Sequence, residues 1–134
     1  MPSRLKLLIV DDNALIRQLL RGILRESSME VVGEAHDGHS AMHLIELHTP
    51  HIVLLDIMLE EQNGIDILTA IKSAHPEMIV VMISTAASSD NVRRSLAAGA
   101  DGFLVKPFNP ARVLDELKHA IAHALARTGI NAQQ

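Results

Sequence analysis

Four short apolar runs, each ending directly on a polar side chain, constrain the fold of this chain more than any other feature. The clearest covers residues 52–56, where four aliphatic residues are followed by a carboxylate. The other three runs end on Asp11, on Ser84 and on Lys106. Such a run is typical of a buried parallel strand whose last side chain emerges at the carboxyl edge of the sheet. Ligands bind at that edge in open α/β sheets, so these polar residues are candidates for one shared site.

Amphipathic segments alternate with the apolar runs. The predicted strands cover residues 7–10, 30–35, 52–56, 78–83 and 103–105, and the predicted helices cover 14–27, 39–48, 65–74, 90–98 and the segment from 110 onward. Asn13 is the expected cap of the first helix. Its inward stripe is predicted to consist of Leu15, Ile16, Leu19, Leu20, Ile23 and Leu24. Strict alternation of strands and helices predicts an α/β fold, with a parallel sheet covered on both faces.

Size and composition exclude several classes of protein. The 134 residues suit one domain with a sizeable core. Because the sequence contains no cysteine, disulfides and thiolate metal sites are excluded. No apolar run approaches the roughly 20 residues of a membrane-spanning helix, so we expect a cytoplasmic protein without membrane contact.

Charge and histidine content argue against nucleic-acid and zinc binding. A net charge of -4 with no Trp or Tyr gives neither a basic face nor stacking aromatic residues, so no direct nucleic-acid binding is expected. Of the eight histidines, His39/His43 and His119/His123 have the spacing of one helical face. Neither pair has an evident third ligand, so we interpret these histidines as solvated.

The acids and their companions predict phosphoryl chemistry. With strand order 2-1-3-4-5, the order reverses between the first and third strands, so Asp11, Asp12 and Asp56 flank one crevice. Three carboxylates at such short distances repel one another, so either one is protonated or a cation neutralises them. A set of oxygen ligands suits Mg²⁺, for which Mn²⁺ could substitute. Ser84 and Lys106 would add a hydroxyl and an ammonium, which together resemble a clamp for phosphoryl oxygens. Asp56 is then the predicted nucleophile, forming an acyl phosphate.

Each residue also has an ordinary structural interpretation. Asp11 and Asp12 could cap a helix, Ser84 could cap another, Asp56 could be a loop acid, and Lys106 a surface lysine. Independent structural causes do not account for all of them meeting at one sheet edge. The combination therefore favours a functional site.

The ordered set of motifs resembles the receiver domains of two-component response regulators from Leu5 to about Ala126. The matching motifs are Val10-Asp11-Asp12, Asp56 with Gly64 eight residues on, Ser84, and Lys106-Pro107-Phe108. The resemblance implies a flavodoxin-like (βα)5 fold, a doubly wound five-stranded parallel sheet of order 2-1-3-4-5. It also implies Mg²⁺ on Asp11, Asp12, Asp56 and the backbone carbonyl of Met58, phosphotransfer from a histidine kinase or phosphotransfer protein to Asp56, and a cis Lys106-Pro107 bond.

Further expectations follow from that resemblance. Residues 5–126 would form the receiver domain and 127–134 a polar C-terminal tail. Ser84 and Phe103 look like the family's switch pair, although Phe103 is equally well explained as a core residue. The switch would change partner binding through the fourth helix, fifth strand and fifth helix, with phosphorylation-dependent dimerisation as one outcome. The domain would not be an enzyme in the usual sense, although it would phosphorylate itself from small donors.

The sequence departs from the family pattern beside the expected phosphoacceptor. Glu60 occupies the position where the family usually has proline, so this loop is expected to be looser. Met58 and Ala86 lie two residues after Asp56 and Ser84, and neither offers a polar side chain to orient an attacking water. We therefore expect slow self-dephosphorylation.

Three other functions are weighed against a single-domain, chemotaxis-regulator-like switch. The chain could be the receiver portion of a longer helix-turn-helix transcription regulator, since residues 31–35 resemble the second strand of such receivers. A haloacid-dehalogenase-like phosphatase would carry a DxD arrangement after its first strand, where this chain has adjacent acids. A flavodoxin-like cofactor protein would need a hydroxyl-rich or glycine-rich loop after that strand, where Asp11-Asp12-Asn13 has the wrong charge.

Overall fold

The computed structural model describes residues 4–60, 62–85 and 88–128. Helices alternate with strands along this part of the chain, except that two short strands directly follow the third strand. The strands are β1 (Leu5–Val10), β2 (Met29–Ala35), β3 (Ile52–Asp56), β4 (Met58–Leu59), β5 (Gln62–Asn63), β6 (Ile79–Ser84) and β7 (Gly102–Val105). The helices are α1 (Ala14–Arg25), α2 (Gly38–His48), α3 (Gly64–Ala74), α4 (Ser89–Ala97) and α5 (Pro110–Thr128).

Five of the strands form one parallel sheet in the order β2-β1-β3-β6-β7. This is the predicted order 2-1-3-4-5, because β4 and β5 lie outside the main sheet. The order reverses beside β1, which pairs with both β2 and β3. The predicted α/β fold and the reversal point are therefore confirmed.

The segment between β3 and α3 is interpreted from the sequence as a loop, whereas the structure contains two short strands there. Met58 pairs with Asn63 and Leu59 with Gln62, so β4 and β5 form a small antiparallel hairpin beside the sheet edge. The backbone there is partly ordered by its own hydrogen bonds. The pairing gives Met58 and Leu59 a regular strand backbone shortly after Asp56.

Each face of the sheet packs a separate hydrophobic core. Successive residues of β3 point to opposite faces: Val53 and Leu55 join the core under α2 and α3, and Ile52 and Leu54 join the core under α1 and α5. All five residues of β3 are buried. Burial on both faces explains why this strand reads as an unbroken apolar run rather than as an alternating one.

The stripe predicted for α1 is too wide. Asn13 caps the helix as expected, since its side chain accepts from the amides of Leu15 and Ile16. Leu20, Ile23 and Leu24 are buried, whereas Leu15 is 74% exposed and Leu19 47% exposed. A helix packed on a sheet buries one narrow face, so the two leucines at its margin remain in solvent.

A buried carboxylate joins three elements at the amino edge of the sheet. Asp101, just before β7, accepts hydrogen bonds from the Nζ of Lys72 at 3.0 Å and from the Nε of Arg127 at 2.9 Å. The imidazole Nδ1 of His123 lies 3.0 Å from Oδ1 of Asp101, and the amide of Val80 donates to Oδ2 of Asp101 at 3.1 Å. Arg127, assigned above to the tail, is thus a residue of α5 that helps to hold this cluster. Thr128, also assigned to the tail, is the last residue of α5, and the other predicted tail residues, 129–134, lie outside the described residues.

Within the described part of the chain, none of the helices combines the length and apolar character that crossing a bilayer requires.

Candidate functional site

The predicted site residues meet at the carboxyl edge of the sheet. Asp11 follows β1, Asp56 ends β3, Ser84 ends β6 and Lys106 follows β7. The register places Val10 beside Leu55, so Asp11 and Asp56 come at the same level on neighbouring strands. Four neighbouring strands thus deliver four polar side chains to one place.

Three carboxylates form a compact cluster at this edge. Ligand oxygens of Asp11, Asp12 and Asp56 all lie within 4.8 Å of one another. Asp11 is fully buried and Asp56 is 4% exposed, whereas Asp12 is exposed. The cluster therefore has a dry interior and an open side through which a ligand could enter.

Lys106 supplies a positive charge to the buried pair. Its Nζ lies 2.9 Å from Oδ2 of Asp11 and 3.5 Å from Oδ2 of Asp56. Burial opposes the charge on this ammonium, but the hydrogen bond to Asp11 and the charges of Asp56 and Asp11 outweigh it and raise the pKa of Lys106. The lysine is therefore ionised, and the predicted approach of Lys106 to the acids is present in the structure.

Asp56 ionises less readily than an ordinary aspartate. Burial, followed by the charge of Asp11, raises its pKa from 3.8 to about 6, although Lys106 and the amide of Met58 act in the opposite direction. Near neutral pH the carboxylate is thus mostly ionised but poorly solvated. A poorly solvated anion beside an acid of the same charge gains from any cation that enters the cluster.

The backbone around Asp11 is held by residues that the sequence did not point to. The amide of Asn13 donates to Oδ1 of Asp11 at 2.9 Å, and the amide of Asp11 donates to the carbonyl of Ala35 at 3.0 Å. Arg17 donates from Nη1 to the carbonyl of Asp11 at 2.6 Å. Arg17 could not be identified from the sequence, because helical spacing carries no signal for a contact back to the preceding strand.

The turn after Asp56 depends on a glycine. A Cβ on Gly64 would lie 2.2 Å from the carbonyl oxygen of Asp56 and 2.7 Å from the Cα of Ile57. Gly64 does not have a positive φ, so the position requires glycine for the close approach of the backbone and not for a left-handed conformation. The amide of Gly64 also donates to the carbonyl of Ile57 at 2.6 Å. This glycine therefore brings the start of α3 directly against the backbone of the candidate phosphoacceptor.

Two residues that distinguish this chain lie on the open side of the turn. The amide of Met58 donates to Oδ1 of Asp56 at 3.2 Å, while its side chain is 63% exposed. Glu60, which stands where proline was expected, is also exposed. Ala86, the other residue used to predict slow dephosphorylation, lies outside the described residues.

The proposed switch residues differ in their burial. Ser84 is fully buried, and its carbonyl accepts from the amide of Lys106 at 2.9 Å. Phe103 is half-buried on β7, where it packs against the core under α2 and α3, and its amide donates to Oε2 of Glu116 at 3.0 Å. The Lys106-Pro107 peptide is cis, as the resemblance implies.

The donor set fits a hard divalent cation. The clustered side chains present oxygen ligands, and three negative charges face the single positive charge of Lys106. Asp12 leaves the cluster accessible from solvent, and carboxylates with room for water are the setting that Mg²⁺ prefers.

Comparison with known proteins agrees with this geometry. Residues 7–118 match the model of the response regulator receiver domain. The chain is 38% identical over 112 residues to the chemotaxis protein CheY of Thermotoga maritima, covering 84% of this chain and 93% of that protein. It is 37% identical over 128 residues to the transcriptional regulatory protein PdtaR of Mycobacterium tuberculosis, covering 96% of this chain but only 62% of that protein.

A solved structure has the same fold. The receiver domain of NtrX from Brucella abortus superimposes with a TM-score of 0.81 at 36% identity, covering 87% of this chain and 98% of that one. This match and the family model decide against the phosphatase and the flavodoxin-like cofactor protein. The chain belongs to the response regulator receiver family, the signalling domains of two-component systems.

Proposed function

We propose that Asp56 is the phosphoacceptor of this receiver and takes a phosphoryl group from a sensor histidine kinase or a phosphotransfer protein. The observation that carries the proposal is the contact of one partly buried ammonium, that of Lys106, with both Asp11 and Asp56 at the carboxyl edge of the sheet. An oxygen of Asp56 would form the new bond to phosphorus as the bond to the donor nitrogen breaks. The donor histidine, protonated on its other ring nitrogen, then leaves as a neutral imidazole.

The acidic cluster would hold the cation that this transfer requires. Asp11, Asp12 and Asp56, with the backbone carbonyl of Met58, are the proposed ligands of Mg²⁺, for which Mn²⁺ could substitute. When bound, the ion supplies positive charge to the phosphoryl oxygens and offsets the repulsion among the carboxylates. Lys106 adds a second positive charge, and Ser84 supplies a hydroxyl on the opposite side of Asp56.

The output is a change in partner binding. We propose that Ser84 moves toward the phosphoryl group and that Phe103 turns inward, altering the surface formed by α4, β7 and α5. Two features support this: Phe103 is only half-buried, and Ser95 is the one buried residue of α4. A helix anchored by so little apolar surface needs little free energy to shift. The altered surface would bind an effector protein or a second copy of the chain.

An alternative concerns the size of the whole protein. Residues 5–126 are the proposed receiver domain, and they could belong to a longer transcription regulator. The 62% coverage of PdtaR is the observation that favours this alternative. The position of the gene's stop codon distinguishes the two.

Phosphorylation can be tested with the protein alone. Incubation with a small acyl phosphate and Mg²⁺ should add one phosphoryl group, seen by intact mass, that is stable to acid and labile to base. Asp56→Asn should remove the modification, and omission of Mg²⁺ should prevent it. Asp66→Asn, an exposed acid in the first turn of α3, is the matched control and should leave it unchanged. Modification that persists in Asp56→Asn would exclude Asp56 as the acceptor.

A further inference from the structure

Two arginines of α1 share one carboxylate, but only one of them reaches the acidic cluster. Glu34 on β2 accepts from Nε of Arg17 at 3.1 Å and from Nε of Arg21 at 2.6 Å. Arg17 donates in addition from Nη1 to the carbonyl oxygen of Asp11 at 2.6 Å. Arg17 thus links Glu34 of the second strand to the backbone of Asp11. Arg21, one turn further along the helix, contacts Glu34 but not Asp11.

The oxygen that Arg17 contacts belongs to the peptide between Asp11 and Asp12. The orientation of this peptide determines how the two carboxylates are directed relative to each other. Asp11 is otherwise well fixed, because its amide, Oδ1 and Oδ2 are engaged by Ala35, Asn13 and Lys106. Asp12 is exposed, so its position depends on the peptide that precedes it.

We propose that Arg17, held by Glu34, is a positioning residue that fixes the Asp11-Asp12 peptide and so sets the geometry of the divalent-cation site. This inference rests on the proposed function, since it concerns the same metal ligands. The structure supports an ionised arginine-carboxylate pair: burial opposes the charge on Glu34, but its hydrogen bonds to Arg21 and Arg17 lower its pKa. The side chain of Arg17 is 19% exposed and that of Arg21 is 42% exposed. The bridging arginine is therefore the more buried of the two.

Arg17 has two opposite effects on cation binding, one through its positive charge and one through the peptide that it holds in place. A guanidinium near the site repels a cation, so removing it would tighten binding if charge dominated. Removing it also frees the peptide, which weakens binding if geometry dominates. Groups that orient metal ligands are commonly worth about 10- to 100-fold in affinity, so we expect geometry to dominate. Lysine keeps the charge but cannot bridge Glu34 and Asp11 with a rigid fork, so it tests the same distinction.

The test measures Mn²⁺ binding by the electron paramagnetic resonance signal of the free ion, without a phosphodonor. We expect Arg17→Gln and Arg17→Lys to raise the Kd for Mn²⁺ about tenfold. Arg21→Gln, the matched control, removes a guanidinium from the same carboxylate and should change the Kd less than about twofold. Thermal unfolding of each variant checks that all remain folded, and Arg17→Lys supplies the conservative change if Arg17→Gln does not fold.

The outcomes distinguish this inference from the proposed function. An unchanged or lower Kd in Arg17→Gln, or an equal rise in Arg21→Gln, would overturn the positioning role while leaving the metal site intact. A wild-type protein that binds no Mn²⁺ would overturn the metal site and the positioning role together.

Discussion

The Nζ of Lys106 lies 2.9 Å from Oδ2 of Asp11, which is the more deeply buried of the two carboxylates that this lysine contacts. Breaking a buried ion pair by removing one partner leaves an uncompensated charge. The neighbouring Asp56 makes this loss larger, because it is a second anion beside the first. We therefore expect the lysine to stabilise the fold in addition to its proposed role in phosphoryl transfer.

Replacing this lysine should destabilise the protein in a pH-dependent way. Lys106→Met is expected to lower the free energy of unfolding by about 2–4 kcal/mol at pH 8, and by less at pH 5, where a carboxyl of the pair can take up a proton. Urea denaturation at the two pH values measures the effect. Added Mg²⁺ should restore part of the loss. Lys118→Met, an exposed position on α5, is the control, and a Lys106→Met variant as stable as wild type would contradict the expectation.

Removing the charge of Asp56 should stabilise the metal-free protein. Its pKa is raised from 3.8 to about 6, so the folded state binds the proton more tightly than the unfolded state does. The wild-type protein therefore loses stability as pH rises from about 4 to above 6, and Asp56→Asn does not share that loss. We expect the variant to gain about 1–3 kcal/mol over wild type at pH 7.5, and little at pH 4. Urea denaturation in a chelator measures this difference, which a pH-independent offset would contradict.

The contact of Gly64 with the backbone of Asp56 predicts a sharp difference between two glycines. Gly64→Ala should cost about 2 kcal/mol or more, because its Cβ would overlap backbone atoms that cannot move as a side chain does. Gly22 lies within α1, and a Cβ added there would have no heavy atom within 4 Å. Gly22→Ala should therefore raise the free energy of unfolding by about 0.5–1 kcal/mol. Thermal or urea denaturation of both variants is the measurement. Equal effects would mean that the close approach is not maintained in solution.

The carboxylate at the other edge of the sheet should dominate acid stability. Burial opposes the charge on Asp101, but its hydrogen bonds from Lys72 and Arg127 outweigh this and lower its pKa. Its contribution is present above the unfolded-state pKa near 3.8 and is lost as pH falls through the lower folded-state pKa. Asp101→Asn should cost about 2–4 kcal/mol at pH 7, since it leaves Lys72 partly buried without its partner.

The acid-denaturation profile distinguishes this cluster from ordinary surface acids. The midpoint of unfolding at low pH should shift upward in Asp101→Asn, because less stability remains to be lost. Asp115→Asn, an exposed acid on α5, should leave the midpoint unchanged. Similar profiles for the two variants would contradict the role of Asp101.

The residues beside Asp56 and Ser84 predict a long-lived acyl phosphate. Hydrolysis requires a water held in line with the phosphorus-oxygen bond, and the exposed Met58 provides no hydrogen bond for it. We expect Met58→Asn/Ala86→Glu to accelerate the decay about tenfold. The decay is followed by intact mass after removal of the donor. Met58→Leu is the matched apolar control, and a decay in the double variant that is no faster than in wild type would contradict the proposed effect.

The α/β class and the polar residues at the strand ends could be predicted because both depend on short-range patterns. The strand order was implied only by the resemblance to receiver domains. The strand ends at Asp11, Asp56 and Ser84 are visible as apolar runs that stop at a polar residue, and parallel topology then brings them together. The cores on both faces follow from the same runs. These features need no knowledge of distant contacts.

The features that could not be predicted depend on partners far apart in sequence. Asp101 reads as part of a glycine turn, and its binding by Lys72 and Arg127 exists only once α3 and α5 have packed on the sheet. The exposure of Leu15 was missed because helical spacing does not say how wide the covered face is. The β4-β5 hairpin is too short for any periodicity to indicate it.

The central strand that ends on Asp56 has neighbours on both sides and a hydrophobic core on each face. Such a strand is a fixed anchor, because displacing it would disturb both cores and two hydrogen-bonded ladders at once. A group attached to Asp56 is therefore presented from an immobile support. The edge strand β7 pairs within the sheet with β6 alone, so we expect the response to a modified Asp56 at this margin of the sheet and not on the strand that carries the aspartate.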